Sequence, residues 1–439
     1  MTIQLAYGPT DLVVPLPPGA EPTVIHKRPM ATLPDPDRAV AEALANPMGS
    51  PPLGALAAGC KSACILICDV TRPVPNGLFL RPMIETLADA GVPLEAITVL
   101  VATGLHRPNE GEELPALVGD PWVLERVAVV NHFARRDEDH VDLGFTRRRT
   151  PIKLDRRFVE AELRIATGLV EPHFMAGYSG GRKVVAPGVA HADTIRTFHS
   201  ARFMEDPAAV QCNLDRNPLH EEQLEIIHRL GPVYGLNTVL NDRRELVLVN
   251  FGEVISSHRM AVAAVRHSVE VAVGRRFATV VTSSAGDPLD KTYYQTVKGM
   301  VTPLDILEPG GTLIVASSCS EGFGSAEFKA AQERLVALGP EAFLATLLAK
   351  NLADVDEWQT EMQLKALRRG RVELFTEGLS AEELALTGCE PVTSLGAAVE
   401  AALARAGDNH LAVIPEGPYV IPLAAADGAA ADSHQTSGA

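Results

Sequence analysis

Long apolar runs are missing from this 439-residue chain. No span reaches the roughly 18 residues that a membrane-crossing helix needs, and the first residues lack the basic and apolar segments of a secretory signal. A cytoplasmic protein without a membrane partner is expected. An excess of positive charge is missing too. The formal net charge is -16, which argues against a surface built for nucleic acid. Six cysteines in a chain of this length do not form a disulfide framework. Cys60, Cys64 and Cys68 recur every four residues, but residues 63–68 are apolar enough for a buried strand, so core thiols are expected there rather than metal ligands. Nucleotide signatures are also absent. No G-x-G-x-x-G opens a helix after the first strand, and Gly180-Gly181-Arg182-Lys183 is followed by Val184 where a phosphate loop requires Ser or Thr. The spacing of His173, His191 and His199 matches neither H-E-x-x-H nor a zinc finger, and there is no internal repeat.

What is present is an ordinary globular composition, 46% hydrophobic and 21% charged, long enough for two or three cores. Apolar runs at 63–68, 96–102, 126–131 and 163–167 alternate with helix-capable stretches such as 77–90, which predicts a layered α/β sheet. A helix over 259–273 leads to further strands at 278–282, 312–317 and 411–415. The expected division is a larger N-terminal domain over 1–265, a smaller C-terminal α/β domain over 266–423 and a loose tail over 424–439. Arg135-Arg136 and Arg147-Arg148-Arg149 offer local positive charge, but interspersed Asp137, Glu138, Asp139, Asp142 and Asp155 favour a solvated face over an anion site.

Polar and glycine-rich residues follow the carboxyl ends of several runs, where open α/β sheets bind ligands. Asp69-Val70-Thr71-Arg72-Pro73 places an arginine that can grip a carboxylate beside an aspartate that can orient it; alone, it reads equally as a turn with a surface arginine. His106 lies in a loop between Gly104 and Pro108 and is either a proton-transfer group or merely exposed. The segment 171–183 with His199 is richer: two histidines and a lysine surround a glycine-rich bend. Farther on, Tyr294 or Gln295 can donate to a substrate oxygen, with Lys298 one helical turn after Tyr294; the competing reading is a capped surface helix.

Taken together, Asp69-x-Thr71-Arg72-Pro73, Gly104-x-His106-Arg107, His173-x-x-Ala-Gly-Tyr178-Ser-Gly180-Gly181-Arg-Lys183, Pro187-Gly188, His199 and Tyr294-Gln295-x-x-Lys298 resemble the lactate racemase family over roughly residues 8–420. The resemblance implies a two-domain α/β fold, with a Rossmann-like N-terminal domain and the active site in the interdomain cleft. It implies an enzyme that inverts C2 of a small 2-hydroxy acid with a nickel-pincer nucleotide, supplied by cofactor-synthesis proteins. On this resemblance Lys183 carries the cofactor covalently, His199 ligates nickel, and Asp69, Thr71, Tyr178, Gly180 and Gly181 surround the cofactor. His106 and His173 match the acid/base pair, and Arg72, Tyr294, Gln295 and Lys298 match substrate-binding positions. Two alternatives stay open: an NAD-dependent 2-hydroxy acid dehydrogenase releasing a 2-keto acid, and a non-catalytic sensor of small acids.

Overall fold

Hydrophobic strands rich in Val, Ile and Leu, each flanked by helix-forming segments, need both faces covered, and a parallel sheet between helices does this. The computed structural model, which describes residues 1–424, contains two such sheets in two compact units. One unit comprises residues 28–268 and 341–358, and the other residues 1–27, 269–340 and the chain from Gln359 onward. A single cut between 265 and 266 therefore misses two exchanges. The first 27 residues join the second unit because the strand Glu21–Val24 pairs in parallel with His410–Ile414, and the short segment 341–358 returns to the first. The expected tail lies outside the described residues apart from Ala424.

In the first unit six strands stand in the order Leu246–Glu253, Tyr234–Leu240, Leu163–Leu169, Ala63–Cys68, Ile97–Ala102, Ala128–Asn131. All neighbours are parallel except the pair at the Leu246–Glu253 edge. The chain thus winds outward from Ala63–Cys68 to one edge and resumes on its other side with Leu163–Leu169. The strand order reverses between these two, and loops leaving their carboxyl ends diverge around a crevice, as at the ligand sites of open α/β sheets. Ile65, Ile67, Val99, Val101 and Ile165 pack with Phe79, Met83 and Leu87 of the helix Asn76–Asp89 in one continuous core. Cys64 is buried on its strand, and all six cysteines are free thiols. The helix expected over 259–273 begins earlier, at Val254, and stops at Val269 because Glu270–Ala272 pairs with Ile421–Leu423.

The second unit holds a six-stranded parallel sheet in the order Glu390–Pro391, Arg371–Phe375, Leu307–Ala316, Phe277–Ser283, His410–Ile414, Glu21–Val24. The helix Tyr293–Val301 follows its strand Phe277–Ser283. No helix among the described residues is long and apolar enough to cross a membrane.

Candidate active site

Side chains on the loops after the strands Ala63–Cys68, Ile97–Ala102 and Leu163–Leu169 of the first unit meet one another. Asp69 follows Ala63–Cys68 and is buried; His106 follows Ile97–Ala102, and its Nδ1 donates to Asp69 Oδ2 at 2.6 Å. Asp69 Oδ1 accepts from the Thr71 hydroxyl at 2.5 Å and from Thr71 N at 3.2 Å. Burial alone would raise the Asp69 carboxyl, but the hydrogen bond and charge of His106, the Thr71 hydroxyl and the Arg72 guanidinium hold it below its ordinary value. An ionised Asp69 keeps the proton of neutral His106 on Nδ1, leaving the Nε2 lone pair as the accepting face of a largely exposed ring. Thr71 thus serves Asp69, a role its place in the motif did not reveal. Arg72 is ion-paired with Glu171, which ties the loop after Ala63–Cys68 to the loop after Leu163–Leu169.

His173 lies in a two-stranded turn in which Pro172–His173 pairs with Gly177–Tyr178. The ring is buried, and its Nδ1 accepts from the backbone N–H groups of Met175 at 3.4 Å and Ala176 at 3.2 Å. Its neutral form therefore carries the proton on Nε2. The two histidines are locked by their surroundings in opposite tautomers, His106 to accept at Nε2 and His173 to donate there.

The glycine-rich bend that follows needs both of its glycines. Gly180 has φ +75° and Gly181 φ +51° with ψ -125°, conformations that side-chain-bearing residues avoid. A Cβ on Gly181 would sit 2.7 Å from the His258 ring, and one on Gly180 would sit 2.7 Å from Val170 Cγ2. Arg182, 1% exposed, fixes the bend from beneath: it donates to the carbonyls of Ala176 and Tyr178, both at 2.9 Å, and to His220 Nδ1 at 2.8 Å. His258 Nε2 donates to Ser179 O at 2.8 Å. Burial draws the Arg182 guanidinium down to about 9 and His220 to about 3, so the histidine is a neutral acceptor for the cation. Tyr178 is fully buried, with the Arg266 guanidinium 5.9 Å from its ring centre. With its main chain held this way, the short helix Arg182–Val185 presents the half-buried Lys183 from a rigid support.

His199 ends the helix Ala192–Phe198, whose first turn is capped by His191 Nδ1 accepting from Asp193 N at 3.1 Å. His199 Nδ1 donates to Ile195 O at 2.8 Å, leaving its lone pair on Nε2. Burial draws the ring down to about 4, with the nearby Lys183 charge acting in the same sense. A neutral imidazole oriented through its other nitrogen is the form that binds a metal. The Trp358 ring stands 5.1 Å from that of His199. No group of three or more His, Cys, Asp or Glu side chains that could hold a metal occurs among the described residues. A metal bound at His199 would need its other donors from outside the His, Cys, Asp and Glu side chains of the described residues.

Tyr294, Gln295 and Lys298 lie in the second unit, on the helix Tyr293–Val301. The Tyr294 carbonyl accepts from Gln359 Nε2 at 2.5 Å and its ring packs edge-on against Phe328. Gln295 Oε1 is buried and finds no hydrogen-bond partner among the described residues. Glu171, Arg182, His220, His258 and Trp358 were not assigned from sequence. Glu171 and Arg182 sat inside the quoted motif, but the other three are far from it in the chain and carry no local signal.

Residues 7–211 match the lactate racemase N-terminal domain and residues 275–422 the lactate racemase C-terminal domain. A lactate racemase from Lactiplantibacillus plantarum is 30% identical, across 87% of this chain and 90% of its own length. The chain belongs to the lactate racemase family. A second lactate racemase of the family, from Thermoanaerobacterium thermosaccharolyticum, is 29% identical over 87% of this chain and 89% of its own. The solved apoprotein of lactate racemase from that organism superposes with a TM-score of 0.89 at 28% identity, covering 96% of this chain and all of the other. A Thermotoga maritima protein at 17% identity and a TM-score of 0.66, covering 90% and 99% of the two chains, shares the fold. The two-domain α/β architecture expected from the motifs is that of the family.

Proposed function

We propose that this protein is a racemase or epimerase that inverts C2 of a 2-hydroxy acid, working with a nickel-pincer nucleotide attached to Lys183 and ligated by His199. The observation that carries this reading is the pair of oppositely set histidines, His106 and His173, on the same sheet edge as a lysine neighboured by a neutral, metal-ready His199. When bound, the cofactor supplies a reversible acceptor for the C2 hydride.

The protein's own residues do the rest. Arg72 holds the substrate carboxylate, so that the remainder of the molecule can turn while its anchor stays in place. His106 takes the hydroxyl proton at Nε2, with Asp69 balancing the positive charge that develops on the ring. Loss of that proton and of the C2 hydride leaves a 2-keto acid. Held at its carboxylate, that 2-keto acid could turn about the bond to the carboxylate to present its other face, and His173 would supply the proton on that side from Nε2. Hydrogen and electrons balance, with no net oxidation. Gln295, Tyr294 and Lys298 are the further substrate-binding residues in this reading.

The test is to co-produce the protein with cofactor-synthesis proteins, then measure intact mass, nickel content and the peptide containing Lys183. A nickel-bearing adduct on Lys183, with interconversion of the enantiomers of a 2-hydroxy acid, is the expected result. Unmodified, nickel-free protein under conditions that load a lactate racemase control, or release of a 2-keto acid with added NAD, would overturn it.

A further inference from the structure

His106 is the exposed member of its pair: its side chain is 61% exposed, against 7% for Asp69, so packing does little to fix the ring. It rides on the loop between the strand Ile97–Ala102 and the helix Glu113–Val118. The near end of that loop is tied by Gly104 N donating to Gly188 O and His106 N donating to Thr103 O, both at 2.9 Å. The far end is tied through Asn109, which is 1% exposed and bound on three sides. Its main chain pairs with the side-chain amide of Asn131, its N–H donating to Asn131 Oδ1 and its carbonyl accepting from Asn131 Nδ2, both at 2.9 Å. Asn109 Oδ1 accepts from Val70 N, next to Asp69, at 3.3 Å, and Asn109 Nδ2 donates to Glu113 Oε2 at 3.2 Å. Only this orientation of the amide offers an acceptor to Val70 and a donor to Glu113. Glu113 also holds Arg107, beside His106, but that pair lies largely in solvent and adds little.

The strands that carry Asp69 and His106 stop pairing at Cys68 and Ala102. Beyond that point the Asn109 amide bridges the His106 loop to the main chain of the Asp69 loop, while Asn131 anchors it to the end of the edge strand Ala128–Asn131. A proton-transfer group must be held to within about 0.5 Å of its working position. The proton stays on His106 Nδ1 only while the ring remains within reach of Asp69. A looser loop would let the ring take its other tautomer, whose Nε2 carries a proton and cannot accept one. We infer that Asn109, anchored by Asn131, is a positioning residue that keeps the His106–Asp69 pair together and so keeps Nε2 ready to accept. The inference rests on the proposed reading of His106 as the proton acceptor.

The experiment reads the His106 tautomer by NMR of the full chain with nitrogen-labelled histidine at mildly alkaline pH, the signals assigned by their loss in His106→Gln. On cofactor-loaded protein, kcat and KM for lactate are measured alongside. The natural chain is expected to show the Nδ1–H tautomer alone. Asn109→Ala should show both tautomers and lower kcat by about 10- to 100-fold, with the smaller part of the loss in KM. Asn131→Ala, which leaves the Asn109 amide in place and disturbs no buried side chain, should move both readouts the same way by less. Asn109→Asp, which keeps an acceptor for Val70 N, should retain the natural tautomer. A natural tautomer in folded Asn109→Ala, or in Asn131→Ala where Asn109→Ala does not fold, overturns the inference and leaves the racemase reading standing. A tautomer lost equally in Asn109→Asp also overturns it, since packing rather than the link to Val70 would then be what matters. Mixed tautomers in loaded Asn109→Ala that racemises lactate at the natural rate uphold the hold of Asn109 on the pair and overturn instead the reading of His106 as proton acceptor.

Discussion

The two parallel sheets each reverse their strand order once, and the chain treats the two crevices differently. Between Ala63–Cys68 and Leu163–Leu169 the loops deliver Asp69, Arg72, Glu171 and His173, all ionisable side chains. Between Phe277–Ser283 and His410–Ile414 the space is closed by main chain. Ser283 Oγ donates to Pro415 O at 2.6 Å, and Gly417 lies so close to the Ser283 carbonyl that any side chain there would collide with it. The N-terminal hairpin, Thr2–Tyr7 with Thr10–Pro15, adds its turn: Gly8 O accepts from Asp287 N at 2.7 Å, and Gly8 N donates to Asp290 Oδ2 at 2.8 Å. A reversal in strand order offers a crevice, but the adjoining loops decide whether it becomes a site or a seam.

Substitutions in the open crevice should abolish chemistry while those in the closed one cost only stability. Lys183→Ala should lose the covalent adduct entirely, read by intact mass, and with it all turnover. His106→Ala and His173→Ala should each retain the adduct but lower kcat by about 100- to 10,000-fold; a parental rate in either would remove that histidine from the proton pathway. Gly181→Ala should destabilise the first unit by about 1–3 kcal/mol in urea unfolding, because the added methyl meets the His258 ring in a backbone conformation that disfavours it. Asp290→Asn, on the closed side, should lower stability by about 1–2 kcal/mol through its bonds to Gly8 and Ser318, and leave the Lys183 adduct intact. Loss of the adduct in Asp290→Asn would erase the contrast between the crevices.

Acid sensitivity sharpens the same contrast. His220 sits at about 3 in the folded chain against an ordinary value of 6.5, and His258 is also well below it. The unfolded chain binds more protons over that interval, so their contribution is complete above about pH 6.5 and is lost as pH falls toward 3. Each can steepen the decline by up to about 1.4 kcal/mol per pH unit. Urea midpoints measured between neutral pH and the mildly acidic range should show this slope, and His220→Gln should flatten it.

Strand positions and the convergence of three loops were legible in the sequence because apolar runs and the polar residues after them are local signals. The strand Ala63–Cys68 matches its apolar run residue for residue, and His106 meets Asp69 from a loop 37 residues away because both follow adjacent parallel strands. Tautomers were not legible, since the proton on His173 is placed by the backbone N–H groups of Met175 and Ala176, which are identical in every sequence. The exchange of the first 27 residues was hidden for a similar reason: edge pairing of Glu21–Val24 is a choice of partner, and a four-residue strand with only a modest apolar face carries little record of it.

Arg182 lies directly before the proposed cofactor lysine, yet its hydrogen bonds reach the carbonyls of the bend behind it and a histidine on the helix Pro218–Leu230. The stretch from 173 to 199 is therefore not a portable cassette. Grafted onto another α/β scaffold, it would bring along a buried positive charge with no His220 to receive it and no His258 ring to back the glycines. Moving such a site to another scaffold would mean moving the whole neighbourhood with it.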